Sequence, residues 1–185
     1  MLICASFRPN DDLVTLLSTL VGDVCRLELQ DTDIADRFRM AAHELGENIA
    51  KYSTGSEVSL EFELAEKGGL YTLSVRTRNR TSPERLAEVG RRLSEVMAAP
   101  DPHALYDRLL EKSVGLEGVS GLGLARIRAE GGVGFVYSIE GDELTVTVTA
   151  PVQHPSQRTP FPEHASTLEA TSKVPLHAIN PATKS

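Results

Sequence analysis

Apolar residues recur along the chain at two different spacings, and the spacing changes from one segment to the next. Steps of three and four residues are typical of amphipathic helices, and steps of two are typical of half-buried strands. The strongest helical segment, residues 31–52, repeats apolar side chains at Ile34, Phe38, Ala41, Ala42, Leu45, Ile49 and Tyr52. A preceding helix, capped by Asp11 or Asp12, places Leu13, Leu16, Leu17, Leu20 and Val21 on one face.

Steps of two residues predict a set of strands. A short strand is expected over residues 2–7. Residues 58–64 and 71–77 alternate apolar and polar side chains, as do residues 133–139 and 143–150. Each of these two pairs is joined by a short stretch that contains glycine, which predicts two hairpins.

The remaining segments read as helices and a loop. Ser82-Pro83-Glu84 is a typical helix start, and the chain to about residue 113 predicts two helices broken near Pro100-Asp101-Pro102. Residues 115–121 predict a flexible loop, and residues 122–130 predict a helix that stops at the glycines after it. Together the elements predict an α+β fold: a two-layer α/β sandwich with a mixed, mostly antiparallel sheet and helices on one face.

The composition changes at about Pro151. Residues 151–185 hold six of the ten prolines and three of the five histidines, and apolar periodicity disappears there. This composition predicts a folded domain over residues 1–150 and a disordered or loosely attached tail over residues 151–185.

Charge and composition exclude several classes of function. Tryptophan is absent, aromatic residues make up 5% of the chain and the net charge is −7, which argues against a nucleic-acid binder. The chain lacks an apolar run of about 20 residues and a basic segment leading into an apolar one, so we expect a cytoplasmic protein without a membrane span. Cys4 and Cys25 lie in apolar surroundings without a CxxC motif, which predicts two free buried thiols in a reducing compartment.

One face of the helix over residues 31–52 gathers three kinds of polar group. Glu44 and Asn48 are four residues apart and share a face, and Lys51 and Tyr52 follow one turn later on the same side. A carboxylate can orient or deprotonate a hydroxyl, a carboxamide oxygen can ligate Mg²⁺, and an ammonium attracts phosphate. Such a face suits a phosphate–metal complex, although the same residues on a helix surface are often only solvated.

A second signal is the Ser-Gly-Leu-Gly-Leu sequence at residues 120–124, directly ahead of a predicted helix. Gly121 and Gly123 let the backbone approach an anion, and the helix that follows offers free N–H groups and the positive end of its dipole. A plain flexible loop before a helix has the same composition. The glycines therefore indicate a phosphate site only in combination with the polar face of the helix over residues 31–52.

The two signals occur in an order that resembles the GHKL (Bergerat-fold) superfamily of ATPases and kinases. The matched features are Glu-x-x-x-Asn-x-x-Lys-Tyr-Ser at residues 44–53, a glycine turn with two alternating strands, and Gly-Leu-Gly-Leu at residues 121–124. The resemblance covers about residues 30–150. That superfamily includes the ATPase domains of histidine kinases, anti-sigma serine kinases, gyrase-type ATPases and Hsp90. The resemblance implies a GHKL-like ATPase domain that binds ATP and Mg²⁺.

The resemblance also implies a role for each matched residue. Glu44 would be the catalytic or water-orienting base, and Asn48 would ligate Mg²⁺. Lys51 and Tyr52 would line the phosphate and adenine sides of the nucleotide. The phosphates would be held by Gly121, Gly123 and Leu124.

The chain departs from the family at the adenine site, where the family has Asp-x-Gly-x-Gly. Here the sequence reads Thr-Arg-Asn-Arg-Thr, so that Thr77 stands at the Asp position and Asn79 at the first glycine. A hydroxyl can accept a hydrogen bond, but without the charge-assisted strength of a carboxylate. Asn tolerates positive φ better than most residues. We therefore expect the turn to survive at Asn79 and adenine recognition to weaken or change.

The segment between residues 79 and 121 is not a typical ATP lid. Its apolar positions predict helices: Leu86, Val89, Leu93, Val96, Leu105, Leu109 and Leu110. This pattern resembles a subgroup of bacterial GHKL proteins in which helices replace the usual lid, and whose known members phosphorylate or bind a small STAS-type antagonist in partner-switching regulation. Three nearby arginines could pair with acidic neighbours, or contact phosphate or an acidic partner: Arg76, Arg78 and Arg80.

The resemblance favours an ATP-dependent Ser/Thr kinase of the anti-sigma or partner-switching type, acting on a small STAS-type antagonist. The alternative is a degenerate module that regulates a partner by binding alone, and ATP binding without transfer lies between the two. Related modules are often dimers, so a homodimer is also an expectation. Only about 30 residues precede the helix over residues 31–52, too few for the phospho-acceptor hairpin of a histidine kinase, so we expect His43 to be structural or solvent-facing.

Overall fold

The computed structural model of the chain describes residues 1–113 and 121–157. Strands and helices follow one another as β1 (Leu2–Phe7), α1 (Asp11–Leu29), α2 (Thr32–Tyr52), β2 (Val58–Lys67), β3 (Leu70–Arg80), α3 (Pro83–Ala98), α4 (Pro102–Ser113), α5 (Leu122–Gly131), β4 (Gly134–Glu140) and β5 (Glu143–Val152). A short 3₁₀ helix, Pro155–Gln157, follows the last strand.

The five strands form one sheet in the order β1-β2-β3-β5-β4, with helices packed on it. Tight turns make the hairpins, because Gly68 and Gly69 take φ of 62° and 80° between β2 and β3, and Gly141 takes φ of 64° between β4 and β5. The predicted two-layer α/β sandwich is confirmed. Each pairing among the described residues is antiparallel, so this part of the sheet is not mixed as the sequence suggested.

The core lies between the sheet and the helices. On α2, Phe38 and Leu45 are fully buried, and this helix contacts β2 and β3. Phe62 and Val75, which are neighbours across β2 and β3, are also fully buried. Helix α1 packs along α2, and α5 contacts α2 and α4. As a result, α2 connects the sheet to both of the neighbouring helices.

Capping side chains account for where the first helices begin. Asp31 accepts a hydrogen bond from the backbone N–H of Ile34 at 3.1 Å, as expected for a residue that caps α2. At the start of α1 the cap is Asn10, whose carboxamide oxygen accepts from the backbone N–H of Leu13 at 3.0 Å. The prediction of Asp11 or Asp12 as this cap is therefore wrong, because an equally good acceptor stands immediately before them.

The side of α1 that faces the core differs from the predicted one. The buried residues are Val14, Ser18, Val21, Gly22, Cys25 and Leu29. Leu13, Leu16 and Leu20 are 38%, 63% and 42% exposed. The prediction was wrong for these three leucines because α1 is apolar on two sides, so periodicity alone does not indicate which side meets α2.

The prediction of two buried thiols is half correct. Cys25 is fully buried between α1 and the rest of the core, whereas Cys4 is exposed. On the edge strand β1, Cys4 lies opposite Glu61 of β2 and belongs to the outer side of the sheet. Strand alternation places it there in spite of its apolar sequence neighbours.

The three arginines of β3 point to the outer side of the sheet and pair with acidic neighbours. The ion pairs are Arg76 with Glu61 at 3.2 Å, Arg78 with Glu143 at 3.4 Å and Arg80 with Asp142 at 3.9 Å. Of the two alternatives for these arginines, the structure therefore shows the first, pairing with acidic neighbours.

The last strand continues two residues past position 150, and the ring of His154 stacks on Tyr71 at a centroid distance of 4.7 Å. The other residues of the predicted tail, 158–185, lie outside the described residues, as do residues 115–120 of the predicted loop. In the described ranges, no helix has both the length and the apolar character needed to cross a membrane.

Candidate functional site

Six of the residues predicted to hold a nucleotide lie around one cavity between α2, β3, α3 and α5. They are Asn48, Tyr52, Thr77, Asn79, Gly121 and Leu124. These six residues come from three separate elements, α2, β3 and the start of α5, and they meet at one place although they are as far apart in sequence as Asn48 and Leu124. This convergence makes the cavity the candidate functional site.

The floor of the cavity is polar because of two residues of β3. Thr77 and Asn79 alternate with the outward-facing arginines, so their side chains point toward the helices. They are 2% and 4% exposed. Since burying a polar group without a partner is costly, polar side chains in a core layer require a hydrogen-bonding or functional reason. Here they provide hydrogen-bonding groups at the wall of a cavity.

The predicted turn at Asn79 is absent. Strand β3 continues to Arg80 and pairs with β5 throughout, with Asn79 opposite Leu144. In the part of the chain that the structure describes, Gln30 is the residue other than glycine with positive φ. The expectation that Asn79 would replace a turn-forming glycine is therefore wrong, because pairing with β5 keeps the strand extended.

The N-terminus of α5 forms another wall of the cavity. Gly121 is the N-cap, with φ 94° and ψ −2°, and as a glycine it has no side chain that could cap the helix. A residue with a Cβ would be strained in this conformation. The first N–H groups of a helix have no partner within the helix, and its dipole makes this end positive. This end of α5 is therefore suited to an anion.

Arg92 of α3 adds a positive charge beside this helix end. Its Cδ lies 3.5 Å from the position that a Cβ on Gly121 would occupy. Its Nε is buried and has no hydrogen-bond partner among the described residues, while Nη1 lies 3.9 Å from Oε2 of Glu95. A buried guanidinium N–H without an acceptor is costly, so Arg92 offers an anion both charge and a free donor.

The cavity is small in this conformation. The volume open to the centres of water molecules is about 30 Å³. A single water molecule needs about 10–15 Å³ of such volume. Val89 and Arg92 of α3 form part of the wall and limit the space. In this conformation the cavity therefore has room for a few water molecules and not for a nucleotide.

Glu44, the predicted base, lies outside the cavity. It lines a separate polar groove with Ser18 of α1 and Arg126 of α5. Its Oε1 accepts a hydrogen bond from Nη1 of Arg126 at 3.2 Å. Burial raises the pKa of Glu44 above its ordinary value, and the hydrogen bond and charge of Arg126 act in the opposite direction.

Gly123 faces Glu44 and does not line the cavity. A Cβ at position 123 would overlap the carboxylate of Glu44. The second glycine of the Gly-Leu-Gly-Leu motif therefore allows close packing of α5 against α2. This arrangement separates Gly123 from Gly121, although the sequence predicted one phosphate-binding role for both.

Lys51 also lies outside the cavity. Its side chain is exposed, and its Nζ is 5.4 Å from the ring centroid of Tyr52. Arg85 of α3 approaches the same ring, with Cζ at 5.2 Å from the centroid. Both distances are within the range of cation–π contacts. The hydroxyl of Thr81 donates to the backbone carbonyl of Tyr52 at 2.7 Å, which connects the end of β3 to the end of α2.

His43 behaves as the sequence predicted. It is 40% exposed, and its Nε2 lies 3.3 Å from Oε1 of Glu47 one turn along α2. It does not line the cavity. Within residues 1–113 and 121–157, no group of three or more His, Cys, Asp or Glu side chains is arranged to hold a metal ion.

Sequence reasoning missed two residues of the site, Arg92 and Arg126. Arg92 stands in the predicted helix that replaces the lid, where an arginine is normally solvated, and only the packing of α3 brings it to Gly121. Arg126 directly follows the Gly-Leu-Gly-Leu-Ala sequence, but its partner Glu44 is 82 residues away in the chain. No local pattern marks either contact.

Comparison with known proteins supports the fold. No protein-family model matches the chain, and no curated protein matches it in sequence. In three dimensions the chain is similar to a chain in the crystal structure of the SiaB–SiaC complex from Pseudomonas aeruginosa, with a TM-score of 0.60 and 15% identity. The match covers 81% of this chain and 89% of that chain. At this identity the likeness establishes a shared fold.

Proposed function

We propose that this protein is an ATP-binding regulatory kinase of the GHKL type, which phosphorylates Ser or Thr on a small STAS-type protein in a partner-switching system. The observation that carries the proposal is the meeting of Asn48, Thr77, Asn79 and Gly121 around one cavity. The similar fold of a chain from a two-protein complex, SiaB–SiaC, supports a protein as the partner.

The polar groups around the cavity are of the kinds that bind Mg-ATP in proteins. Mg²⁺ is commonly held by few protein oxygens together with waters and substrate phosphates, so the carboxamide oxygen of Asn48 would be one ligand among these. Arg92 and the first N–H groups of α5 would hold phosphate oxygens, while Thr77 and Asn79 would face the base. Bound Mg-ATP would supply the transferable phosphoryl group and a cation that neutralises its charge.

Helix α3 would serve as the lid of this site. The apolar residues that fix α3 to the domain are Leu86, Leu93 and Val96, which are buried. Outward movement of α3 would withdraw Val89 and Arg92 from the cavity, and its return would bring Arg92 back onto the bound phosphates. Such closing movements exclude water and complete a catalytic site.

Glu44 would accept the proton of the attacking Ser or Thr hydroxyl on the partner. It would do so after its hydrogen bond with Arg126 is released, because an ion-paired carboxylate is a weaker base. The released Arg126 would still be held by Glu130, whose Oε2 accepts from Nε of Arg126 at 2.9 Å. The remaining contribution to transfer would be positioning and electrostatic stabilisation.

The alternative function is regulation by binding alone. Two observations favour it: the cavity is closed by α3, and Glu44 is held by Arg126 outside the cavity. In this alternative the fold presents a surface to a protein partner, and the cavity, whose lining is mostly apolar with a few polar side chains, would be the remnant of a nucleotide site.

A label-transfer experiment separates the two functions. Proteins recovered with the tagged chain from its natural host are supplied with γ-labelled ATP and Mg²⁺. We expect acid-stable label on a small partner, lost in Glu44→Gln and kept in Glu47→Gln, an exposed carboxylate on the same helix that serves as the matched control. A partner recovered equally with wild type and Glu44→Gln, but never labelled, would establish binding alone.

A further inference from the structure

Two polar side chains of the cavity wall are buried without a hydrogen-bond partner. Thr77 and Asn79 are 2% and 4% exposed, and both line the cavity. Within residues 1–113 and 121–157, neither side chain forms a hydrogen bond with another residue. Burial of a hydroxyl or an amide without a partner is costly, so such groups usually serve a ligand or an ordered water molecule. These two side chains therefore mark the part of the cavity where a ligand would make polar contacts.

Apolar side chains make up much of the remaining wall of the cavity. They include Leu45 of α2 and, on β5, Leu144 and Val146. Val146 lies opposite Thr77 in the pairing of β3 with β5, and Leu144 lies opposite Asn79. Sites for small molecules commonly combine an apolar lining with a few polar groups that fix the orientation of the ligand. This wall suits a flat ring that is apolar on its faces and polar along one edge, such as a purine base.

Both polar groups can donate a hydrogen bond as well as accept one. The hydroxyl of Thr77 rotates to suit its partner, and the carboxamide of Asn79 carries an NH₂ group that donates and an oxygen that accepts. An ionised carboxylate at either position could only accept. The pair is therefore able to match a ligand edge that presents a donor next to an acceptor in either order.

The two common purines differ in this order. Adenine has a donating amino group at C6 beside the accepting N1, whereas guanine has an accepting oxygen at C6 beside a donating N1–H. A site that can only accept opposite C6 discriminates against guanine, because the C6 oxygen is left without a donor. Thr77 and Asn79 are able to satisfy either edge, so their chemistry does not select adenine.

We propose that the nucleotide site accepts 6-oxopurine nucleoside triphosphates such as GTP as well as ATP, an inference that rests on the proposed nucleotide-binding function and on the outward movement of α3. The C6 end of a purine is the end farthest from the sugar and the phosphates. Arg92 of α3 and the start of α5 would hold the phosphates. Thr77 and Asn79 belong to a third element, β3, and would meet the C6 end of the base.

The test compares ATP, GTP and inosine triphosphate (ITP) in calorimetric titrations of the full chain with Mg²⁺. ITP has the C6 oxygen and the N1–H of guanine without its 2-amino group, so it differs from ATP only along the edge that Thr77 and Asn79 would face. We expect the three dissociation constants to agree within about tenfold. Binding of ATP with ITP or GTP weaker by more than about tenfold would overturn the inference and leave the proposed function standing. Absence of binding by all three at millimolar concentration would overturn both.

Two variants that keep the shape of the side chain test the residues themselves. Asn79→Asp replaces the donor with a group that only accepts when ionised, so at pH 8 the ratio of the ITP to the ATP dissociation constant should rise by about tenfold or more. Thr77→Val removes a group that serves both bases and should weaken ATP and ITP by similar factors. Thr145→Val makes the same change on the outer side of β5 and should alter neither. An unchanged ratio in Asn79→Asp that unfolds at the wild-type temperature would overturn the role of Asn79.

Discussion

Glu44 and Arg126 form an ion pair across α2 and α5, with Oε1 and Nη1 3.2 Å apart. The carboxylate is 16% exposed and the guanidinium 44%. Burial raises the pKa of Glu44, while Arg126 opposes the rise. The resemblance predicted Glu44 as a base, and its pKa therefore depends on Arg126, a residue that sequence reasoning missed.

Removal of Arg126 should raise the pKa of Glu44 further. Arg126→Met keeps the apolar stem of the side chain but removes the hydrogen bond and the charge that favour the ionised carboxylate. Titration of the carboxyl ¹³C signal of Glu44 by NMR checks this. Arg91→Met, which removes an exposed arginine of α3, is the control and should leave the titration unchanged. A lower pKa in Arg126→Met would contradict the assigned cause.

The raised pKa of Glu44 should also make the free energy of unfolding of the domain depend on pH. Because the folded state holds this proton more tightly than the unfolded state, the contribution of Glu44 is most favourable below its ordinary pKa of 4.5. That contribution is lost as the pH rises through the folded-state pKa. As the pH rises from 4.5 through the folded-state pKa, the free energy of unfolding of wild type should therefore fall relative to that of Glu44→Gln. Urea denaturation of both proteins at several pH values measures this difference. A difference in free energy of unfolding between wild type and Glu44→Gln that stays constant with pH would contradict the raised pKa.

Two glycines inside helices should respond oppositely to alanine. A Cβ on Gly46 would lie 2.6 Å from Cγ1 of Val14, so Gly46→Ala should push α1 from α2 and destabilise the domain by about 1–3 kcal/mol. Among the described residues, a Cβ on Gly90 would meet Cδ1 of Ile139 alone, at an ordinary 3.5 Å. Gly90→Ala should then stabilise by up to about 1 kcal/mol through helix propensity. Thermal unfolding of both variants measures the difference, and equal effects would contradict the packing described.

The two cysteines should differ in reactivity. Burial raises the pKa of Cys25 to about 12, so almost none of it is thiolate at pH 8. Cys4 is exposed on the edge strand β1. We expect one equivalent of thiol reagent to react in the folded protein at pH 8, located at Cys4 by mass spectrometry, and a second only after unfolding. Rapid labelling of Cys25 in the folded state would contradict its burial.

The sequence predicted the elements well because each carries a strong local signal. The helix over residues 31–52 has an acidic cap and a regular apolar face, and α2 spans Thr32–Tyr52 with Asp31 as its cap. The hairpins follow from alternation and glycine turns. Where the local signal was ambiguous, as on α1 with two apolar faces, the predicted core side was wrong for Leu13, Leu16 and Leu20.

The site was predictable only in part for a different reason. Asn48, Thr77 and Gly121 were identified from motif order, and the fold brings them together. Whether a side chain of α2 points into the cavity or into the neighbouring groove depends on how α5 packs. Glu44 and Asn48 are one turn apart on the same helix, yet Arg126 draws Glu44 to the groove. Such a contact depends on tertiary structure and leaves no spacing pattern.

The proposed nucleotide site is tested most directly by calorimetric titration of ATP into the purified chain, with and without Mg²⁺. We expect Mg-dependent binding that Asn48→Ala weakens by about tenfold or more through loss of the proposed metal ligand. Glu47→Ala, one residue earlier on the exposed side of α2, should bind as wild type does. Absence of binding at millimolar ATP, or binding that Asn48→Ala leaves unchanged, would contradict the assignment of this cavity as a nucleotide site.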